Sequence, residues 1–559
     1  MFLRELKNYM QSEKSPVQRF WGLLSRYKVE IRQLYVYAIF IGMVNLTLPV
    51  GIQAIINYIQ TGEMTSSWIV LVCFVLIGIA VTGVLQVLQL RIVENMQQDL
   101  FARSAFEFAY RIPKITFLQL DKIHAPELVN RFFDTLTIQK SLPKILIDFS
   151  LAAFQIVFGL LLLTIYSPYF IILGVVLVFI LWLIFKITGP RGLRTSLKES
   201  KYKYQSAHWL EEIARVNRSF KLNTSTEFHL QKTDTIAVNY LTARESHFRI
   251  LINQFKLFIA FKIFIAAGLL ILGGVLVFQE QMNIGQFVAA EIIIILIINS
   301  VEKVIRVVDS IYDVLTALDK IGYVTDLQLD ESKGEATIEE EGGLSLTATD
   351  LEFGFPDERR NIIDGLSFDV PAGGKVVVTG PSGSGKSILL QMIAGIHHFQ
   401  SGELYINGVP FDNLHRDRLY QAYGVAFPTN QLFEGTLREN ILMGKNVPSK
   451  ELSAVLELLQ LNDFVVHLPK GINAAIDSGG RSLPRSIIQK ILIARLIVGK
   501  PRLLLLEDPL QFVEEEEKRR IIDYLMSPER NWTVIVVADY HYWREKCTQF
   551  ITLEKSNYR

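Results

Sequence analysis

From about residue 33 to residue 305 the chain alternates long apolar runs with polar connections. Six of these runs read as helices that cross ~30 Å of hydrocarbon. They cover residues 34–59, 68–90, 147–166, 169–187, 255–278 and 287–300. TGEMTSS, the Ser167-Pro168 turn and QEQMN contain no Lys or Arg, whereas the N-terminus and the two long connections are rich in both. The positive-inside rule therefore places the short loops outside and both termini in the cytoplasm. The long connections hold runs such as RIVENMQQDLFARSAFEFAYRI and RGLRTSLKESKYKYQSAHWLEEIARV, whose helical period predicts that the spanning helices continue into the cytoplasm. Pro113 and Pro126 break the first connection, and KLNTSTE from Lys221 breaks the second. Ahead of the first span, PVQRFWGLLSRYK sets Phe20, Trp21, Leu23 and Leu24 among basic residues and predicts an amphipathic helix on the inner membrane surface.

Polar residues within or beside the spans include Asp148, Gln155, Lys256, Lys262 and Glu291. Asp148, Lys256 and Lys262 lie near the cytoplasmic ends, where snorkelling explains them better than a translocation path does. Glu291 lies deeper and is better placed to line a cavity.

After the spans the pattern changes. Residues 325–345 are acidic and poor in large apolar groups, as a linker or edge segment would be, and short β-runs then alternate with helical ones. The composition agrees with a membrane part joined to a soluble part: 559 residues, 50% hydrophobic, 20% charged, net charge +1. So even a balance gives no reason to expect nucleic acid as a partner. Cys73 and Cys547 are too isolated to suggest a disulfide framework or a metal cluster. No cleavable signal pattern precedes the first span, which is expected to target the chain itself.

GKVVVTGPSGSGKSILLQMIAGI reads as strand, glycine loop and helix, and within it Gly380, Gly385, Lys386 and Ser387 satisfy GxxxxGK[ST]. In such a loop, Gly380, Pro381, Ser382, Gly383, Ser384, Gly385, Lys386, Ser387 and Ile388 surround the phosphates of a nucleotide. The glycines let N–H groups approach, the helix N-terminus favours the anion, Lys386 supplies charge and Ser387 can ligate Mg2+.

SGELYINGVPF, LFEGTLRENI and ILIARLIVGKPRLLLLED, taken with that loop and the six spans, resemble the ATP-binding cassette (ABC) exporters over nearly the whole chain, most of all the exporters of peptides, proteins and lipids. The resemblance implies an α-helical six-span transmembrane domain plus an α/β P-loop NTPase domain of ABC type. Residues 1–32 would be a cytoplasmic N-terminus with an elbow helix, 33–322 the transmembrane domain, 323–345 a linker and 346–559 the nucleotide-binding domain. It further implies ATP and Mg2+ as cofactors, a second half-transporter (the same chain or a different one), surrounding lipid, a periplasmic adaptor as an optional further partner, and an inner (plasma) membrane location. Phe355 falls where the family stacks an aromatic on adenine, and a plain core phenylalanine fits that position equally well.

Against the family pattern, the chemistry thins out. The family's magnesium-contacting glutamine falls on Pro428, which has no side-chain donor or acceptor. LPRSI, residues 483–487, stands where LSGGQ is expected, so Pro484 and Arg485 replace a serine and a glycine. Asp539 takes the position of the γ-phosphate-sensing histidine. An ionised aspartate can only accept hydrogen bonds, and like charges ~4 Å apart repel by about 4 kcal/mol at an effective dielectric near 20. In LLLLEDP the usual Asp-Glu order is reversed. Counting from Arg495 assigns Glu507 to the magnesium side and Asp508, one methylene short, to the base that orients water. The expectation is a transporter subunit that binds ATP, hydrolyses it weakly and takes part in exporting a peptide, protein or amphiphile. The alternative is a pseudo-ATPase that acts as structural or regulatory partner of an intact half.

Overall fold

The computed structural model describes residues 14–61, 66–120, 123, 125–223, 226–330, 334–338, 342–355 and 360–555. The chain divides into two compact units, residues 1–115 with 123–328 and residues 116–122 with 329–559.

The first unit is helical. Pro16–Arg26 (α1) opens on a capping box in which the Gln18 N–H donates to Ser15 Oγ at 3.2 Å and the Ser15 N–H to Gln18 Oε1 at 2.9 Å. Lys28–Val44 (α2) and Thr47–Thr61 (α3) occupy the run expected to form one uninterrupted span. The interruption has a local cause. Pro49 has no N–H to offer the Asn45 carbonyl, and Thr47 Oγ1 donates to the Val44 carbonyl at 2.7 Å. Ser66–Arg111 (α4, 46 residues), Phe149–Tyr166 (α5), Tyr169–Arg215 (α6, 47 residues), Phe228–Phe278 (α7, 51 residues) and Ile284–Thr325 (α8, 42 residues) follow. At 1.5 Å per residue the four long helices reach roughly 60–75 Å, about twice the hydrocarbon thickness. Among the described residues, six helical stretches are long and apolar enough to cross a membrane. Short helices over Phe117–Leu120, Ala125–Asn130 and Asn217–Leu222 lie at the breaks read from Pro113, Pro126 and the KLNTSTE segment. The TGEMTSS turn falls largely outside the described residues.

Among the described residues, two cores hold this unit. Leu163, Phe170, Leu177, Phe258, Ile265, Ile293 and Ile297 form one, and Leu34, Met96, Ile138, Leu142, Val307 and Val314 form the other. Close approach depends on small residues. A Cβ on Gly192 of α6 would lie 2.4 Å from Cζ of Tyr312 on α8.

The second unit carries two main sheets. Leu346–Phe353 (β1), Ile363–Val370 (β2), Ser401–Ile406 (β4) and Val409–Pro410 (β5) form an antiparallel sheet in the order β2-β1-β4-β5. Lys375–Thr379 (β3), Tyr423–Ala426 (β6), Leu503–Glu507 (β9), Thr533–Val537 (β10) and Gln549–Thr552 (β11) form a parallel sheet ordered β11-β3-β10-β9-β6. Gly435–Thr436 (β7) and Ala475–Ile476 (β8) make a small pair. The central strands read Val-Val-Val and Leu-Leu-Leu-Leu because both faces are covered, and Val376, Val377 and Leu503 to Leu506 are fully buried. Lys386–Ile393 (α9), Arg485–Val498 (α10) and Glu515–Met526 (α11) are the helices that bear on the site.

Candidate nucleotide site

In an open parallel sheet the chain leaves every strand at the same edge, and a ligand crevice forms there. At that edge lie the loop after β3, Pro428 beyond β6, Glu507 and Asp508 at the end of β9, and Asp539 beyond β10.

The β3–α9 loop requires glycine at several points. Gly380 has φ +150°, and a Cβ there would sit 2.4 Å from the Leu553 carbonyl oxygen. Gly383 and Gly385 adopt φ +80° and +90°, and space is open where a Gly383 side chain would stand. Ser384 is buried, and among the described residues its Oγ has no hydrogen-bond partner. An orphaned hydroxyl inside a turn of N–H groups suits a phosphate. Lys386 Nζ folds back across the loop and donates to the carbonyls of Gly380 at 2.8 Å and Pro381 at 3.0 Å. Pro381, Ser382 and Gly383 are exposed, and Ser387 and Ile388 continue into the first turn of α9.

Ser387 Oγ donates to Glu507 Oε1 at 2.5 Å, so the two residues expected to flank a magnesium ion meet directly. Asp508 then turns out of the strand with φ +41°, a left-handed conformation that aspartate tolerates better than most side chains, and its N–H donates to the Val537 carbonyl at 2.9 Å. That bond ties the end of β9 to the end of β10, beside Asp539. Asp508 is open to solvent in the single chain, yet the strand ends desolvate its carboxyl and push it above the ordinary carboxylate value. The backbone N–H of Asp539 pulls it back, the Asp539 carboxylate pushes it further up, and Lys386 opposes. Lys386, Asp508 and Asp539 therefore share one electrostatic neighbourhood.

Other expected site positions contribute less. Pro428 is exposed after β6 and offers no side-chain ligand. Pro484 is the N-cap of α10 and makes no side-chain cap bond. Arg485 lies with its guanidinium 4.9 Å from the centre of the Phe512 ring, on its own domain, and the Phe512 N–H donates to Gln489 Oε1 at 2.8 Å. Phe512 and Gln489 belong to no motif in the sequence; a glutamine one turn into α10 is the signal that points to them. His541, two residues beyond Asp539, lies 3.1 Å from a carboxylate oxygen of Glu545. Phe355 packs edge-on against Phe353 at 5.3 Å and His397 at 5.8 Å, which suits either a stacking platform or a core residue.

The donor set fits a nucleoside triphosphate with magnesium. The loop N–H groups, Ser384 and Lys386 would hold phosphate oxygens, and Ser387 with Glu507 would hold the ion, which supplies charge neutralisation.

Comparison with known proteins bears on the same segments. The model described as ABC transporter matches residues 363–511, and that described as ABC transporter transmembrane region matches residues 34–301. The fold is similar to that of a bacterial Atm1-family ABC exporter solved with ATP bound, with TM-score 0.81 and 18% identity over 95% of each chain. Among curated proteins, the mycobactin import ATP-binding/permease protein IrtB of Mycolicibacterium thermoresistibile is 30% identical over 195 residues, 35% of this chain and 33% of that protein. The type I secretion system ATP-binding protein PrsD of Rhizobium meliloti is 33% identical over 195 residues, 34% of each chain. The glutathione/L-cysteine transport system ATP-binding/permease protein CydC of Escherichia coli is 31% identical over 196 residues. The matched stretch covers about a third of the length of these relatives.

Proposed function

The chain belongs to the ABC transporter family, and from that premise we propose that it is an exporter half that binds ATP with magnesium, hydrolyses it weakly and helps move a peptide, protein or amphiphile outward. It works with a second half, either another copy or a different subunit, in the inner (plasma) membrane. The Lys and Arg distribution supports cytoplasmic termini. The relatives' names include both import and secretion, so outward transport is argued from the exporter-type fold instead.

The observation that carries the reading is the Asp508–Asp539 pair beside Lys386. Two carboxylates stand where a longer base and a hydrogen-bond-donating histidine would serve a γ-phosphate. They leave the phosphate loop able to bind but remove transition-state stabilisation. Arg485, held on Phe512, lends support to a second reading in which the chain is a structural or regulatory partner of an intact half.

Nucleotide affinity and turnover of purified protein in lipid test both. ATP binding with very slow turnover is expected. Brisk turnover abolished by Asp508→Asn overturns the weak-ATPase reading, and failure to bind ATP leaves only the structural one.

A further inference from the structure

Two lysines of the second unit, Lys375 and Lys490, are buried to the same degree, each with 5% of its surface exposed. Lys490 is neutralised by Glu517 at 2.5 Å. Lys375 has no such partner. Among the described residues its Nζ makes no ion pair and donates to two backbone carbonyls, of Trp532 at 2.6 Å and of Arg530 at 3.1 Å. An ammonium carries three N–H groups, a neutral amine two. Two carbonyls therefore satisfy the amine completely and leave its lone pair the remaining direction, whereas the ammonium keeps an unclaimed donor and an uncompensated buried charge. Desolvation works the same way and pushes Lys375 down to about 8.

Lys375 opens β3, so it lies at the sheet edge opposite the phosphate loop that follows Thr379. There it lines a cleft of about 440 Å³ with Gly343, Gly373, Met526, Arg530 and Lys546 among its walls. Among the described residues no Asp or Glu lines this cleft, and Arg530 and Lys546 are its other charged groups. The guanidinium of Arg530 rests 4.3 Å from the centre of the Tyr524 ring, and Lys546 pairs with Asp523 of α11 at 2.7 Å. On the flanking strands, Thr533 and Thr548 stand beside Lys375 and do not titrate. The rim is net positive and suits a phosphate. A desolvated lysine next to other cations is an activated amine nucleophile.

We infer that Lys375 is a modification site whose amine takes an acyl group from an acyl phosphate, with the phosphate held by Arg530 and Lys546. The nitrogen attacks the acyl carbon and a C–N bond forms as the bond from that carbon to the phosphate oxygen breaks. Phosphate leaves with the electron pair and takes the amine proton. The amide product keeps one N–H, so one of the two carbonyls loses its donor and the tie between β3 and the loop before β10 is weakened.

Acetyl phosphate and acetic anhydride, applied separately to the full chain in lipid nanodiscs with rates at each lysine read by peptide mass spectrometry, test this. At about pH 7.5 acetyl phosphate should acetylate Lys375 about tenfold faster than Lys490 or the exposed Lys450. The rate at Lys375 should climb with pH and level off above about 8. Arg530→Ala with Lys546→Ala should slow the acetyl phosphate reaction at Lys375 about tenfold and leave its reaction with the uncharged anhydride unchanged. Acetylation of Lys375 no faster than that of Lys450 overturns the nucleophile. An acetyl phosphate rate that the double variant leaves unchanged overturns the phosphate recognition. Equal slowing with both reagents does the same, because the rim then governs access and not phosphate.

Discussion

Lys386, Asp508 and Asp539 give the sharpest residue-level tests. Replacing Lys386 with Ala removes a charge-assisted contact to phosphate and should weaken ATP binding about tenfold to a hundredfold, measured with a fluorescent nucleotide. Asp508 makes a pH-dependent contribution of known sign. Its carboxyl is raised in the folded protein, chiefly by desolvation, so folding disfavours its ionised form. The resulting destabilisation is absent below the unfolded value near ~3.9 and grows as pH rises through the folded value. Asp508→Asn should therefore raise the unfolding temperature at pH 7, and the gain should shrink as pH falls toward 4. A gain that grows on acidification would contradict the environment described for this side chain. Tighter ATP binding by the same variant at pH 7 is expected, since one of the two carboxylates proposed to face the γ-phosphate loses its charge.

Among the elements, two packing contacts can be probed separately. Lys490 of α10 pairs with Glu517 of α11 at 2.5 Å with both side chains largely buried. Lys490→Met leaves a buried carboxylate unpaired and should cost about 3 kcal/mol, seen as a lower unfolding transition of the nucleotide-binding unit. Lys490→Met combined with Glu517→Leu should recover most of that loss, because the unpaired charge is gone. In the helical unit, Gly192→Ala would ordinarily help a helix by about 1 kcal/mol. Here the new methyl meets the Tyr312 ring, whose hydroxyl is held by Gln254 Nε2 at 2.9 Å, so a net loss of about 1–3 kcal/mol is expected in thermal stability of detergent-solubilised protein.

For the whole molecule, the proposed two-half assembly makes the defects interdependent. A site built from one half's phosphate loop and the other half's α10 start would suffer Pro484 and Arg485 as well as Asp508 and Asp539. Asp508→Glu with Asp539→His alone should raise ATP turnover only slightly, and adding Pro484→Ser with Arg485→Gly should raise it by far more than the product of the separate gains. Much of this organisation is legible in the sequence, because it follows from periodicity and spacing. Run length marks the spans, and the GPSGSGKS spacing dictates a phosphate loop, since glycine accepts the backbone at Gly380 and Gly383 without strain. The break between α2 and α3 was less legible: Pro49 is visible, but whether a proline bends a helix or interrupts it depends on how neighbours satisfy the freed carbonyls. Other features needed chain segments brought together in space. The raised Asp508 carboxyl, Arg485 resting on Phe512, the Ser387–Glu507 bond and Lys375 held on two carbonyls each join residues that no local pattern relates. The sequence by itself determined which groups are present and in what local conformation. Only tertiary structure decided which are desolvated, paired or left facing outward, because burial and Coulomb energies depend on distances that folding alone sets.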